Sequence, residues 1–555
     1  MKTFRFLSCT ITILLFLINL NSIAQSNIVS ISGNVSDFVT EDVLTDVTIY
    51  ITDINNGSID STLTNSFGLW EYDLTVTSIR ENQQLPAQFS VSQNYPNPFN
   101  PSTKIEIFIP DDGEVKVTIF NILGEIKDTY KEYLNAGSYS IEWSARGSAG
   151  VYFFNVKTKN GSITRKMILL DGGQGKDLSG FRAGNNFSYN KNDKLSSIST
   201  SVPIKIQTSK FGYVPHEIDT IVSGDEYFNF VIETIHSHSI VADLHNDILE
   251  KMIENPNYHL GDLHNYNHTD IPRLQTGGVD VQLIVVWVNP YTHGNDSYNH
   301  AMEMVNIFND ELFVNKNTIG QACTKTEALS LIEEHKISFV MCVEGGHAIE
   351  NDIGKLKSLH QAGMRYMTIT WNNSLDWAVS AQDSRATTVG LTEFGKKVIR
   401  TMDTLGVIID VSHTGAKTIE DIITVTKNPI IASHACVRSL KNHYRNLYDE
   451  QIISIANTGG IIGIVFYPPF LTNSDSADIN SVVDHIDYIV NLVGIDHAAL
   501  GSDFDGVGTL ADGLEDVSKF PDLTLELLRR GYSQSEVEKI LGGNFMRVFE
   551  QVCGE

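Results

Sequence analysis

From about residue 240 to the end of the chain, short β-branched runs alternate with longer amphipathic stretches such as "TEFGKKVIRTMDTLG" and "LTLELLRRGYSQSEVEKILGGNFMRVFEQV". This alternation constrains the fold most tightly, because parallel strands need a crossover between them and a helix usually supplies it. Eight candidate strands are legible, at 240–246, 279–288, 337–343, 365–371, 406–411, 429–433, 460–466 and 498–502. Eight βα units predict a (β/α)8 TIM-type barrel. A doubly wound open sheet is the runner-up, but no Gly-rich phosphate loop follows the first strand.

Polar residues stand at the ends of these apolar runs: His245 and Asp247 after the first, Glu344 after the third, His413 after the fifth, His434 after the sixth and Asp503 after the eighth. In a barrel they all gather at the mouth formed by the C-terminal strand ends. The one-residue gap between His245 and Asp247 suits a strand or its extended exit, where residues i and i+2 share a face; on a helix they would diverge by about 200°. Asp505 shares the face of Asp503 by the same rule and is the second choice for any role given to Asp503.

Three histidines and three carboxylates are expensive to bury without a metal or mutual pairing. Nitrogen and carboxylate ligands without paired cysteines suit zinc in an open, catalytic site. Five ligands are too many for one tetrahedral ion that keeps a water, so two ions sharing a bridging carboxylate are expected, with Glu344 the best bridge. Two ions about 3.5–4 Å apart would activate a shared water and polarise a carbonyl oxygen. That is the chemistry of amide or ester hydrolysis.

The rest of the composition narrows the setting. Acidic residues outnumber basic ones 67 to 40, a formal charge of -27 that opposes binding to nucleic acid. The opening "MKTFRFLSCTITILLFLINLNSIAQ" pairs Lys2 and Arg5 with an apolar core and small residues at 22 and 24, which predicts a cleaved signal peptide over 1–24. No other stretch is long and apolar enough to cross a membrane, so the mature chain is expected to be soluble, in the periplasm, at the cell surface or secreted. Cys323, Cys342, Cys436 and Cys553 remain, too few and scattered for a disulfide scaffold, and their redox state stays open. Cys342 and Cys436 lie two residues from expected ligands, but are read as small buried apolar residues.

Before residue 240 the texture is all-β, with alternating runs separated by Gly, Asn and Asp turns. Residues 27–82, with the "TNSFGLWEY" hairpin, resemble the first part of a carboxypeptidase-regulatory-like β-sandwich. Residues 202–234, "VPIKIQTSKFGYVPHEIDTIVSGDEYFNFVIE" and its neighbour, resemble the remainder, so one domain is expected to be interrupted by another. The interrupter, 89–171, carries "YPNPFNPST" and "AGVYFFNV" and resembles the type IX secretion sorting domain, a FlgD-like immunoglobulin-type sandwich. Such domains normally end a protein, whereas nearly four hundred residues follow this one. Residues 172–201, rich in Gly, Ser, Asn and Lys, read as a linker.

From 236 to 555 the motifs "DLHND", "TDIPRLQTGGVDVQ", "EGGHAIENDIGKLKSLHQAGMRYMTIT", "IDVSH", "SHACVRSLKNHYRNLYDE" and "GSDFDGV" run in order and resemble the membrane dipeptidase (renal dipeptidase, peptidase M19) family. The resemblance implies two zinc ions, one on His245, Asp247 and Glu344, the other on Glu344, His413 and His434, with a bridging hydroxide attacking a dipeptide. It also implies that Asp503 is the acid/base and that Arg445 holds the substrate carboxylate. Animal members carry a histidine where this chain has Trp371, which puts substrate range and rate in question. A surface adhesion protein with an inactive zinc barrel, and a lactonase or other esterase on the same barrel, are the alternatives. Docking of the 89–171 module to a cell surface or secretion machinery, and a homodimer, are left open.

Overall fold

The computed structural model describes residues 26–77, 89–170 apart from 98, 122–124 and 160, then 173–174, 178–183, and 201–555 apart from 475. The expected signal peptide and most of the expected linker lie outside these residues. The chain forms two compact units, one from residues 75–201 and the other from 29–74 together with 202–555.

The first unit is a β-sandwich. One four-stranded sheet orders Gly161–Leu169, Gly150–Thr158, Gly113–Asn121 and Ile126–Leu134; the other orders Arg182–Ala183, Gly137–Ser144, Ser102–Ile109 and Ser90–Val91. Alternate residues point inward, as a half-buried sheet requires. Ile105, Ile107, Val117, Phe154 and Trp143 thus meet in one core, where Trp143 packs edge-on against Tyr152.

In the second unit, strands far apart in sequence share two sheets. Ser26–Asp37 pairs in parallel with Glu226–Ile232, Ile31 facing Glu226, and Thr48–Asp53 pairs antiparallel with Val202–Ser209, Ile51 facing Ile206. Seven strands from 26–77 and 202–232 make up the two sheets.

The remainder is a closed barrel of eight parallel strands: β1 (Ala242–Asn246), β2 (Val281–Trp287), β3 (Ile337–Glu344), β4 (Tyr366–Thr368), β5 (Ile408–Asp410), β6 (Ile430–Ala435), β7 (Ile461–Ile464) and β8 (Ala498–Leu500). Each pairs with its neighbours in sequence, and β8 closes on β1. A ninth strand, Ile319–Gln321, lies beside the start of β3 and was not among the expected eight. Helices fill the crossovers for local reasons. The Thr392 side chain caps Glu393–Leu405, Gly406 ends it in the left-handed region, and Val398, Ile399 and Met402 form its buried stripe.

Alternate strand residues divide between two cores. Leu283, Val285, Val340, Cys342, Tyr366, Ile408, Ile431 and Ile461 cluster with Phe545, Phe549 and Val552 of the last helix, Asn544–Cys553. The intervening Ile284, Val286, Met341, Val343, Met367, Ile409 and Ile462 pack with the surrounding helices. The interior is therefore filled from the strand starts upward, leaving the C-terminal ends for polar residues.

Candidate metal centre

Six of the residues singled out in sequence converge at the C-terminal mouth. His245 Nε2 lies 3.4 Å from Asp247 Oδ2 and 3.7 Å from Glu344 Oε2. Glu344 Oε1 lies 3.0 Å from His413 Nε2 and 3.5 Å from His434 Nε2. Glu344 thus faces His245 with one oxygen and the other two histidines with the other. Donor atoms of Asp503, Asp247 and His245 lie within 4.8 Å of one another. All six side chains are buried.

Hydrogen bonds behind the histidines decide which nitrogen faces the cluster. His413 Nδ1 donates to Asn372 Oδ1 at 3.0 Å. Ser433 Oγ donates to Asp410 Oδ2 at 2.7 Å, so its lone pairs accept from His434 Nδ1 at 2.9 Å. Tyr366 donates its hydroxyl to Leu244 O and stands 2.8 Å from His245 Nδ1. Burial, reinforced by Arg445, pushes the pKa of His413 down to about 4, and burial with the neighbouring His245 charge puts His434 well below its usual value. The partners behind both rings favour protons on Nδ1, and burial favours their neutral form. Their Nε2 atoms nevertheless lie 3.0 Å apart, two lone pairs face to face. A cation between them removes the conflict, as it does for His245 Nε2, Asp247 Oδ1 and Glu344 Oε1, which are buried without a hydrogen-bond partner.

Electrostatics point the same way. Burial opposes a charge on His245, yet Asp247 and Glu344 hold its pKa well above the usual value. A proton or a metal ion at Nε2 satisfies that demand equally. Glu344 is pulled well below the carboxylate range by His413 and His245 despite its burial. Asp503 goes the other way, pushed up to about 7 by burial and by the Asp247 and Glu344 carboxylates. A Cβ at residue 506 would stand 2.2 Å from Asp247 Oδ2 and 2.5 Å from Asp503 Oδ1, so Gly506 leaves open the space where these two carboxylates meet.

Backbone details differ from the strand picture. Asp247 is not on an extended exit: with φ -98° and ψ 22° it caps the helix Ile248–Glu254. It still meets His245, just past a register shift of β1 between Asp243 and Asn246. Asp503 and Asp505 do not alternate along a strand. Both are left-handed, at φ 65° and 66°, as is His413 at 63°, the strained backbone that functional sites concentrate. The double turn separates the two aspartates. Asp505 Oδ1 accepts from His268 N at 2.8 Å, away from the histidines.

Arg445 is buried beside the cluster. Its Nη2 donates to His434 O at 3.0 Å, its guanidinium lies 5.5 Å from the Phe470 ring centre, and Nε has no partner. It lines a cavity of about 180 Å³ together with His413. Trp371 follows β4 and packs against Trp287, Tyr291 and His413 at ring separations of 5.1, 6.1 and 6.2 Å.

Residues 231–554, more than half of the chain, match the family model described as membrane dipeptidase (peptidase family M19). The chain belongs to the membrane dipeptidase family. Solved structures agree with the assignment. A dipeptidase described as a metallopeptidase of family M19 is 25% identical, with a TM-score of 0.54, over 57% of this chain and 99% of its own. A metallopeptidase from Rhodobacter sphaeroides, liganded with a phosphinate mimic of the dipeptide L-Ala-D-Ala, is 25% identical with a TM-score of 0.53 over the same shares. The probable dipeptidase PvdM from Pseudomonas aeruginosa, 24% identical over 57% of this chain and 96% of its own, shares the fold at a TM-score of 0.54. This M19 barrel is a metallo-dipeptidase, a hydrolase of peptide bonds. Residues 93–170 match the model of a secretion system C-terminal sorting domain, here in an internal position.

Several residues that build this dipeptidase centre escaped the sequence reading. Asp410, at the end of β5, accepts from Ser412 N, Ser433 N, Ser433 Oγ and Thr368 Oγ1, and so fixes the serine behind His434. Asp243 holds Ser502 N, Ser502 Oγ and Gln282 Nε2, tying the entry of β1 to the turn that carries Asp503. Their signal was present, a carboxylate inside an apolar run in both "ADLHND" and "IDVSH". Tyr366 and Asn372 gave none, since their partners lie more than forty residues away. Cys342 and Cys436 are free and buried; their Sγ atoms face Val340 O and Val465 O.

Proposed function

We propose that this protein is an exported dizinc dipeptidase, with His245, Asp247 and Glu344 holding one ion and Glu344, His413 and His434 the other. The observation that carries the reading is the meeting of the Nε2 atoms of His413 and His434, 3.0 Å apart, at Glu344 Oε1, 3.0 and 3.5 Å away. When bound, the two ions would acidify the attacking water and polarise the scissile carbonyl. Asp503, beside Asp247 and close to neutrality in pKa, takes the proton of the attacking water and gives it to the departing amine. Arg445 binds the terminal carboxylate of the dipeptide, a task suited to a planar guanidinium already stripped of water. Trp371, Trp287 and Tyr291 wall the His413 side of the mouth. The ligand of the Rhodobacter relative makes dipeptides with a C-terminal D-residue natural members of the substrate panel.

The proposed domain plan is a signal peptide over 1–24, a split carboxypeptidase-regulatory-like sandwich over 27–82 and 202–234, the sorting-type module over 89–171, a linker over 172–201 and the barrel over 236–555. Cross-pairing of strands from 26–77 and 202–232 supports the split sandwich, and the sorting-domain match supports an extracytoplasmic address. No helix among the described residues is long and apolar enough to cross a membrane.

The test is hydrolysis of a dipeptide panel and a lactone panel by zinc-loaded protein, with Arg445→Met as comparison. Dipeptides should turn over, and losing the guanidinium should cost about 10- to 100-fold in kcat/KM. Lactone turnover independent of Arg445, with no dipeptide cleaved, would replace this reading with an esterase.

A further inference from the structure

The cavity beside His413 holds a second arginine. Arg438 lines it together with Arg445; its guanidinium lies 4.4 Å from the ring centre of Tyr448 and makes no hydrogen bond or ion pair among the described residues. Two acids nearby are already occupied. Asp383, on the same cavity wall, is held by Arg385 at 2.6 and 3.0 Å and by Ser374 Oγ at 2.7 Å. Asp449 accepts from Ser439 Oγ and Tyr488. Arg445 likewise has no carboxylate within ion-pairing distance among the described residues. A chain of formal charge -27 thus presents two guanidinium groups without a contact ion pair to one cavity of about 180 Å³ beside the clustered histidines and carboxylates.

A dipeptide with an uncharged C-terminal side chain brings one carboxylate to this cavity, and Arg445 takes it. Arg438 is then left facing the ligand with nothing to neutralise, and its stacking on Tyr448 holds the planar group in place. We propose that this cavity is the subsite for the C-terminal residue of the substrate and that it selects an acidic side chain, with Arg445 on the α-carboxylate and Arg438 on the side-chain carboxylate of Asp or Glu. This rests on the dipeptidase reading above, and the two can fail separately.

The experiment compares kcat/KM for Ala-Glu against Ala-Gln and for Ala-Asp against Ala-Asn, pairs matched in shape and differing in charge, using the zinc-loaded full chain. The acidic member should be preferred by about tenfold or more, mainly through KM. Arg438→Met keeps the bulk and should bring the ratio close to one, whereas Arg438→Lys should restore part of it. In parallel, calorimetric titration with glutarate and with butyrate, one carboxylate apart, should show tighter glutarate binding that disappears in Arg438→Met. Equal rates on Glu and Gln substrates, or a ratio unmoved by Arg438→Met in a variant that melts like the parent, overturn the subsite and leave the dipeptidase intact. No turnover of any dipeptide, with Arg438-dependent glutarate binding retained, overturns the dipeptidase reading and leaves the dianion subsite standing.

Discussion

The split sandwich and the mouth of the barrel are both assembled from distant parts of the chain, but they leave buried polar atoms alone to different degrees: among the described residues of the sandwich, Trp70 Nε1 is the one buried side-chain polar atom without a partner. In the sandwich, Thr64 Oγ1 donates to Leu44 O and accepts from Val47 N. Thr208 Oγ1 and His216 exchange hydrogen bonds, and Asp37 accepts from Val39 N, Thr40 N and the Tyr213 hydroxyl. At the barrel mouth, His245 Nε2, Asp247 Oδ1, Glu344 Oε1 and Arg445 Nε are buried with no partner. A buried polar atom left alone costs about 1–3 kcal/mol, more if charged. Several together at the strand ends mark where the fold holds binding groups for ligands, whereas the largely satisfied set marks a scaffold.

Substitutions can break that contrast, the largest effect coming from Glu344, the proposed bridge. Glu344→Gln, which keeps shape but removes the charge shared by both ligand sets, should lower dipeptide kcat/KM by about a thousandfold or more and reduce bound zinc measured by mass spectrometry. Near-normal rate and zinc content would mean that Glu344 is not the bridge. Asp503→Asn should cost about 10²- to 10⁴-fold in kcat with zinc content retained. The pH profile gives this prediction its sign. A base must be unprotonated, and burial with neighbouring carboxylates pushes Asp503 up to about 7. Bound cations favour its ionised form, so kcat/KM should fall as pH drops through a limb below 7, and the Asn variant should lack that limb.

Asp410 lies one step further back, touching Ser433 rather than any donor atom of the cluster. Its change to Asn should weaken zinc binding by about 10- to 100-fold, read by competition with a chelator. The smallest effect is in the scaffold. Thr64→Val leaves Val47 N and Leu44 O without their partner and should cost the sandwich about 1–3 kcal/mol in denaturant unfolding, with dipeptide kcat/KM unchanged.

The strands of the barrel were legible because parallel sheets buried on both faces write themselves as apolar runs. The strand Ile319–Gln321 was not, since Gly320 and Gln321 leave no apolar run there to read. That the six mouth residues gather at one end of the barrel followed from its topology. What alternation could not foresee was the left-handed backbone at His413, Asp503 and Asp505, and it is this turn geometry that sends Asp503 to the cluster and Asp505 to His268. The support behind the histidines stayed hidden for a different reason: Tyr366 reaches His245 across the barrel interior, a contact set by register and stagger rather than by any local pattern.

Zinc titration of metal-stripped protein, following hydrolysis of a good dipeptide together with bound zinc, tests the central claim most directly. Activity should rise until two equivalents per chain are bound and then level off. Activity complete at one equivalent, or two ions bound with no dipeptide cleaved, would contradict it.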